Sequence, residues 1–490
     1  MNRFPQLAAT SVASRPLATL LLLGLGIPLS LWCLYTLIVG DNLDQVGFFS
    51  AAGCFLLLAF VYVGIHGFAG LDWFSVPFLF TLRGLVEFCI IPFWRLLAGE
   101  TQMDPIYTRA MWLCVGGFTA FWVASLLVLR NRPLVFAPRG HFAPSRVALW
   151  SALLLVVGLV GHIVLWKMGM AGYGTADDVA RESALPFLGW LHFAASLLNV
   201  ALVISAVEVL GKGSKNSAIR WIFIVSLAAA LVFGIISGMK EELLTPFVFI
   251  AFVIFFAKGR FPRVALFLPL LLILIYPFVT AYRETLSRGY RYVANTVPGQ
   301  AEALASAFQD AITHPFSMGD ESSAAHTAFR VDSLNDLHDV LGLPVPELIA
   351  SDSRIWLAPF YPFIPRALWR DKPVLDEGSR FSVALGRTAS TASAPTVVGD
   401  LYARGGDLGV LAGMFAYGLA LQWFANWFRT QPLSEPALCI YILMLIPLVD
   451  LEVDMTMLIA SAVTVLVKVF LVMRLVYGSE RPRASRVAAG

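Results

Sequence analysis

The sequence predicts an all-α polytopic membrane protein, and three observations lead to that fold class. Hydrophobic residues occupy 58% of the 490 positions, and the mean hydropathy is +0.75. Charged residues make up only 14% of the chain, whereas soluble domains carry about 25%. Apolar runs of about 20 residues, each long enough to cross a hydrocarbon core, recur from end to end. These runs are continuous and do not alternate with polar residues, which excludes a transmembrane β-barrel.

Windowed hydropathy divides the chain into about twelve spans, of which the eighth and eleventh are short. The spans are 16–39, 48–65, 74–94, 110–129, 147–166, 187–210, 219–236, 243–257, 264–281, 408–428, 437–451 and 455–477. Three regions follow from this division. Residues 1–281 form a membrane domain with spans 1–9, residues 282–407 form a long loop, and residues 408–490 hold spans 10–12 and a tail.

The charges of the connecting loops predict the orientation of the spans. The loops after the fourth, sixth and eighth spans and the tail after the twelfth are basic, and they contain Arg130, Arg132, Arg139, Arg146, Lys212, Lys215, Arg220, Lys258, Arg260, Arg263, Arg481, Arg483 and Arg486. The loops on the other side are mainly acidic. Because basic loops stay in the cytoplasm, we expect both termini to be cytoplasmic and the long loop to lie outside.

The long loop is predicted to be partly helical and to touch the membrane surface. Leu304, Phe308 and Ile312 have helical spacing after Pro298, and Ala328, Leu334, Leu337 and Leu341 form a second such pattern. Residues 355–369 are rich in aromatics and proline, which is typical of a segment at the membrane interface. Residues 379–395 are rich in Ser, Thr and Ala, and we expect them to be mobile.

The loop is also unusually basic for the outer side of a membrane. Its cations are Arg283, Arg288, Arg291, Arg330, Arg354, Arg366, Arg370, Lys372, Arg380, Arg387 and Arg404. Guanidinium groups bind phosphate bidentately and remain charged, so this composition suits an anionic ligand beside the outer leaflet. Acidic residues occupy the same loop, so simple charge balance is the alternative interpretation.

Three further groups of residues bear on chemistry. In the outer turn at residues 238–242, Lys240 would contact a phosphate and Glu241 would act as a base, or the turn is an ordinary solvated hairpin. Arg83 and Glu87 have the i, i+4 spacing of a structural ion pair within a span. The acidic turn Asp450–Asp454 has no second cluster of ligands, so we predict no metal site.

Two motifs resemble those of Wzy-type polysaccharide polymerases. The first is Pro365-Arg366-Ala367-Leu368-Trp369-Arg370-Asp371-Lys372-Pro373. The second is Gly399-Asp400-Leu401-Tyr402-Ala403-Arg404-Gly405-Gly406-Asp407-Leu408-Gly409, and it runs into a span with further glycines. In that family these correspond to a "PR-x-x-W-x-x-KP" stretch followed by "G-(E/D)-x-Y-x-x-x-G-x-x-G". The turn at Lys240 departs from the family, where an arginine is often found.

The resemblance implies a GT-C-like enzyme in a bacterial inner membrane. It would polymerise undecaprenyl-diphosphate-linked oligosaccharides into O-antigen or exopolysaccharide in the periplasm, without a metal or another cofactor. Membrane lipid, a chain-length regulator and a flippase are the implied partners, and nucleic acid is not. The candidate catalytic residues are Glu241, Asp400 and His326. The candidate substrate-binding residues are Lys240, Arg283, Arg291, Arg330, Arg366, Lys372, Tyr402 and Arg404.

Other functions remain open at this level. An O-antigen ligase has a similar topology and lipid donor, and it differs in transferring the glycan to lipid A core. A lipid-linked glycan flippase or another transporter is a further alternative, although no internal repeat is visible and few ionisable residues lie at mid-membrane. A scaffold without catalytic activity in an envelope-assembly complex is the last alternative.

Overall fold

The computed structural model of the chain describes residues 43–68, 75–97, 104–130, 144–168, 188–258, 282, 302, 305–306, 309, 332–344, 355–364, 368–369, 371–373, 377–386, 394–429 and 433–478. Within these residues the elements are helices: α1 (Leu43–Phe68), α2 (Val76–Leu85), α3 (Ile91–Leu97), α4 (Pro105–Leu127), α5 (Pro144–Lys167), α6 (Leu188–Ala206), α7 (Ser217–Ser237), α8 (Lys240–Lys258), α9 (Ser333–Gly342), α10 (Glu377–Ala384), α11 (Thr396–Arg429), α12 (Glu435–Val449) and α13 (Met455–Tyr477). Short π-helical segments, Val86–Ile90 and Val207–Gly211, join α2 to α3 and extend α6.

Eight of the described helices are long and apolar enough to cross a membrane. They coincide with eight of the predicted spans, with α2, its π segment and α3 counted as one. The described part of the chain is therefore that of an all-α polytopic membrane protein. The predicted spans at 16–39 and 264–281 lie outside the described residues.

The predicted short spans form the helices α8 and α12, and α12 has only 15 residues. At 1.5 Å per residue it rises about 22 Å, less than the roughly 30 Å of a hydrocarbon core.

Aromatic side chains fill the centre of the bundle around α4. The Phe118 ring lies 5.1 Å from Phe55, 5.7 Å from Phe80 and 5.8 Å from Phe88, measured between centroids. Gly84 makes room for this ring, because a Cβ at that position would lie 2.3 Å from Phe118. This cluster holds α1, α2 and the first π segment against α4.

The helix α11 is broken near its first third into two helices. The second begins just after Gly406, in agreement with the predicted start of this span at residue 408. The arm Thr396–Arg404, which carries Asp400 and Arg404, precedes it as a helix that the sequence did not predict. Gly405 and Gly406 interrupt the helix, and Gly406 has φ of 61°, a conformation that favours glycine. The arm folds against the following turns, where a Cβ on Gly409 would lie 2.5 Å from the carbonyl oxygen of Leu401.

Two expectations for the long loop can be compared with the structure. The helical pattern at Leu334 and Leu337 is confirmed, because both side chains are buried in α9. The first part of residues 379–395, which we expected to be mobile, is helical. Residues up to Ala384 belong to α10, which packs through the fully buried Phe381. The helix predicted after Pro298 falls mostly outside the described residues.

Close helix contacts at glycine give a first prediction. A Cβ on Gly418 in α11 would lie 2.4 Å from the backbone oxygen of Phe121, whereas nothing lies within 4 Å of such a Cβ on Gly64 in α1. We expect Gly418→Ala to destabilise the protein by about 1–3 kcal/mol, since backbone must move to relieve the overlap. Gly64→Ala should leave stability unchanged or slightly raised. Thermal unfolding of the purified variants in detergent measures both, and equal melting temperatures for the two would contradict the packing described.

Candidate functional site

Arg83 gathers three carboxylates at one end of the bundle. Its Nε atom lies 2.5 Å from Glu87 Oε1, Nη1 lies 2.9 Å from Asp450 Oδ1, and Nη2 lies 3.2 Å from Glu452 Oε1. The predicted Arg83–Glu87 ion pair is thus confirmed, but it belongs to a larger group. Asp450 and Glu452 come from the acidic turn between α12 and α13, far away in sequence. One guanidinium therefore ties the helix α2 to that turn.

This charged group lies below the rim of the bundle. Arg83 precedes Leu97, the end of α3, by roughly 20 Å of helix. The acidic turn reaches only the level of Arg83, because α12 is short. Arg83 keeps 27% of its side chain exposed and Glu452 keeps 44%. We call this partly exposed group, together with Glu241, the polar recess; its residues are Arg83, Glu87, Glu241, Asp450 and Glu452.

Glu241 supplies the one carboxylate of this recess that forms no ion pair with another described residue. It lies in the first turn of α8, its side chain is exposed, and Asp450, Arg83 and Glu452 are the charges that act on it most strongly. Acidic side chains in a first helical turn are stabilised by the helix dipole. Glu241 is thus an exposed carboxylate close to the charged group around Arg83.

The loop helix α9 forms one wall of the recess. Asp332 caps the start of α9 by accepting a bond from the backbone N–H of Asn335, and it pairs with Arg95 at 2.5 Å. The next residue, Ser333, donates a hydrogen bond of 2.7 Å to Glu87 Oε2. The long loop is thereby anchored to α3 and to the charged group itself. We call the end of the bundle that carries α9 the loop end.

Asp400 and Arg404, both candidates from the sequence, bind each other. Arg404 Nε lies 2.9 Å and 3.0 Å from the two carboxylate oxygens of Asp400, which is fully buried. Asp400 also accepts a bond from the backbone N–H of Met455, and Arg404 donates one to Thr456. The pair fastens the polar arm of α11 to the start of α13. In this arrangement the Asp400–Arg404 pair positions the acidic turn. The carboxylate of Glu241, in contrast, is accessible.

Tyr402 and Lys372 lie nearer the surface than this pair. Arg109, at the start of α4, donates a 3.3 Å hydrogen bond to the Tyr402 hydroxyl, and its guanidinium carbon lies 5.6 Å from the centre of that ring. Arg109 also approaches Asp407 at 3.4 Å, with both side chains more than half exposed. Lys372 Nζ donates to the carbonyl oxygen of Ile364 and thereby closes the aromatic segment on itself.

The remaining candidates cannot be placed. His326, Arg283, Arg291, Arg330 and Arg366 lie outside the described residues, and so does the side chain of Lys240. Of the basic candidates, only Lys372 and Arg404 have side chains in the described part of the chain, where they make separate contacts.

Sequence reasoning missed the pairing of Arg83 with Asp450 and Glu452, and it missed the contacts of Arg109. The sequence did offer one signal for the pairing of Arg83 with the acidic turn. Loop parity puts Asp450 and Glu452 on the outer side, where they are acidic residues that could neutralise an arginine within a span. Arg109 directly precedes the predicted fourth span, and nothing in the sequence set it apart from an ordinary flanking cation.

A family model described as a domain of unknown function, DUF8712, matches residues 183–429. The chain belongs to this family. The match begins just before α6 and ends with α11, so it includes Glu241, α9 and Asp400 but neither Arg83 nor the acidic turn. No solved structure matches the chain.

In this DUF8712 protein a second charged group fastens α9 at the rim. His338 Nε2 lies 2.9 Å from Asp104 Oδ2, and His338 Nδ1 lies 3.3 Å from Asp339 Oδ1. The hydrogen bond to Asp339, together with that to Asp104, raises the pKa of His338 above its ordinary 6.5 and outweighs burial. Burial acts to raise the pKa of Asp104, but the bonds from His338 and the Tyr107 N–H lower it overall.

These pKa shifts predict that docking of α9 weakens as the pH rises. His338 contributes fully below its ordinary pKa, and that contribution is lost as the pH rises through the raised value. The lowered pKa of Asp104 keeps its carboxylate charged down to acidic pH, so its contribution is lost only below about pH 4. Hydrogen exchange, corrected for the intrinsic effect of pH, should show better protection of α9 amides at pH 6 than at pH 9.

The matched control is His338→Gln, which removes the titrating group and should give α9 the same corrected protection at both pH values. Amides in the centre of α13 should not respond in either protein. Unchanged protection of α9 between pH 6 and pH 9 in the wild type would contradict the docking role of His338.

Proposed function

We propose that the protein is a Wzy-type polymerase, which joins undecaprenyl-diphosphate-linked oligosaccharide repeat units into O-antigen or exopolysaccharide. The observation that carries the proposal is the polar recess at the loop end, where an exposed Glu241 faces carboxylates held by Arg83. The motif resemblance of residues 365–373 and 399–409 supports the same family of reactions. The proposal includes a GT-C-like arrangement of about twelve spans in a bacterial inner membrane, with cytoplasmic termini and a periplasmic loop.

The chemistry of the recess suits the sugar rather than the diphosphate. Four carboxylates surround a single guanidinium, so the recess favours hydroxyl groups and positive charge over a phosphate. Glycosyl transfer passes through a state with positive charge at the anomeric carbon, which nearby carboxylates stabilise. The acceptor sugar hydroxyl attacks that carbon, Glu241 takes the hydroxyl proton, and the bond to the diphosphate oxygen breaks with its electron pair.

The diphosphate needs cations, which we assign to the rim and the long loop. Arg109 is exposed at the loop end beside Tyr402, and it can present a guanidinium fork to a phosphate. Arg283, Arg291, Arg330 and Arg366 are the basic loop residues that we expect to share this role, with Lys240 and Lys372. Arg404 would act indirectly, because Asp400 and Thr456 already occupy it. Membrane lipid surrounds the polyprenyl tail, and a flippase and a chain-length regulator are the proposed partners.

An assay with purified protein and lipid-linked repeat units tests this function. A ladder of lipid-linked polymers supports a polymerase. Transfer to lipid A core without a ladder supports an O-antigen ligase, and movement of unchanged lipid-linked sugar across vesicles supports a flippase. Each of the last two results, or no reaction at all, would contradict the proposal.

Within that assay, Glu241→Gln should lower the rate by about 10²–10⁴-fold, the usual contribution of a general base. Glu242→Gln is the matched control, because it makes the same change in charge one residue further along α8 and should retain most of the activity. Protein abundance in the membrane should be normal for both variants. Asp400→Asn, by contrast, should lower abundance, since it leaves the charge of Arg404 without its buried partner. Full activity of Glu241→Gln would remove Glu241 as the base.

A further inference from the structure

The loop segment Ile355–Ile364, which we call the turn segment, contains no charged residue. Three of its aromatic side chains point outward: Trp356, Phe360 and Phe363 are 66%, 55% and 43% exposed. Leu368, four residues beyond its end, is 81% exposed. A group of large exposed apolar side chains of this kind marks a surface that another apolar surface covers.

The opposite side of the turn segment packs against the protein. Its first turn, Ile355–Leu357, contacts α13, and Ile355 packs against the hydrophobic core of the bundle. Ala358 and Tyr361 are buried, and the Tyr361 ring lies 5.5 Å from that of Trp369. The turn segment is therefore held by the bundle on one side and exposes its aromatic rings on the other.

The backbone of the turn segment leaves no N–H group free between Ala358 and Ile364. Pro359 and Pro362 have no N–H to satisfy. The other five residues donate their N–H groups, over 2.9–3.3 Å, to carbonyl oxygens three or four positions earlier; they are Ala358, Phe360, Tyr361, Phe363 and Ile364. Backbone in contact with hydrocarbon must satisfy its hydrogen bonds within the protein, whereas a loop in water has no such requirement. The turn segment meets this requirement without being a regular α-helix.

Lipid is the apolar surface that adjoins the exposed rings. The turn segment packs on α13, one of the helices that are long and apolar enough to cross a membrane, and Phe470 and Leu471 of α13 are 47% and 54% exposed. Trp356 belongs to the turn that contacts α13, so the exposed face adjoins the surface of a membrane-spanning helix. The loop runs from α9 to α11, both of which meet the bundle at the loop end. The turn segment therefore meets α13 at that end of the membrane.

Charged groups occur at one edge of the turn segment. Lys372 Nζ donates a 3.2 Å hydrogen bond to the carbonyl oxygen of Ile364, and Asp371 beside it is exposed. Lysine side chains at such a boundary keep their apolar stem along apolar surface and their ammonium group among polar headgroups. This arrangement, with an apolar face and a charged edge, is that of a segment that enters a membrane from its surface.

We propose that the turn segment inserts into the membrane leaflet at the loop end, with Trp356, Phe360, Phe363 and Leu368 among the acyl chains. Loop charges predict that this is the outer leaflet. The sequence indicated a segment at the membrane surface, and the satisfied backbone and outward rings extend this to insertion below the headgroups. The insertion anchors the long loop beside α13. It does not depend on the proposed polymerase activity, because burial and hydrogen bonding alone support it.

Spin labels measure the surroundings of the exposed rings. The full-length protein, with its five native cysteines replaced, carries a nitroxide at Phe360→Cys or Phe363→Cys and is placed in lipid nanodiscs. Oxygen concentrates among acyl chains, whereas a water-soluble nickel chelate remains outside, and we expect oxygen to relax both labels more strongly than nickel. Leu471→Cys in α13 is the lipid control. Arg380→Cys, at an exposed position of α10 in the same loop, is the control for water.

Two results would overturn the proposal. Nickel relaxation at positions 360 and 363 equal to that at position 380 would place the rings in water. Low accessibility to both reagents would show that protein, such as a second copy of the chain, covers them. Labelled variants should keep the melting temperature of the cysteine-free parent. Leu368→Cys gives the same measurement if the phenylalanine variants do not fold, because a side chain that is 81% exposed contributes little to packing.

Discussion

The ion group around Arg83 is the interaction on which the loop end of this protein depends. A guanidinium roughly halfway along a membrane-spanning helix is costly unless carboxylates surround it, and here three approach within 3.2 Å. One of these carboxylates, Glu87, lies in the π segment that continues α2. The other two, Asp450 and Glu452, lie in the turn between α12 and α13. Removing Arg83 would leave three negative groups together below the rim, so this one side chain holds the recess in its present form.

Other contacts at the loop end hold the ion group around Arg83 in position. The 15 residues of α12 bring the acidic turn down to Arg83, and the Asp400–Arg404 pair fixes that turn from the side of α11. The loop helix α9 reaches in through Ser333, which binds Glu87. Because each contact joins elements that are far apart in sequence, the recess forms only when the whole bundle is assembled. Glu241 gains its acidic surroundings from that assembly.

Hydropathy and spacing predicted the features of this structure that depend on local pattern. The described spans, the helix α9 and the Arg83–Glu87 pair all follow from the period of apolar residues or from i, i+4 spacing. The helical arm that precedes this span in α11 was not predicted, because it is stabilised by close packing at Gly409 and by the bond from Met455 to Asp400. The pairing of Arg83 with Asp450 also escaped prediction, since it depends on the length of α12. A sequence does not reveal that Asp400 is buried while Glu241 is exposed.

The most direct test of the account is the accessibility of the recess from outside the cell. In a variant with its five native cysteines replaced, Glu241→Cys can be treated in intact cells with a maleimide that does not cross membranes. Arg474→Cys, at the opposite end, is the control. The account predicts external labelling at position 241 and none at position 474 until the membrane is permeabilised. Labelling of position 474 from outside, or of position 241 only after permeabilisation, would contradict a glycan-binding recess open to the outer face.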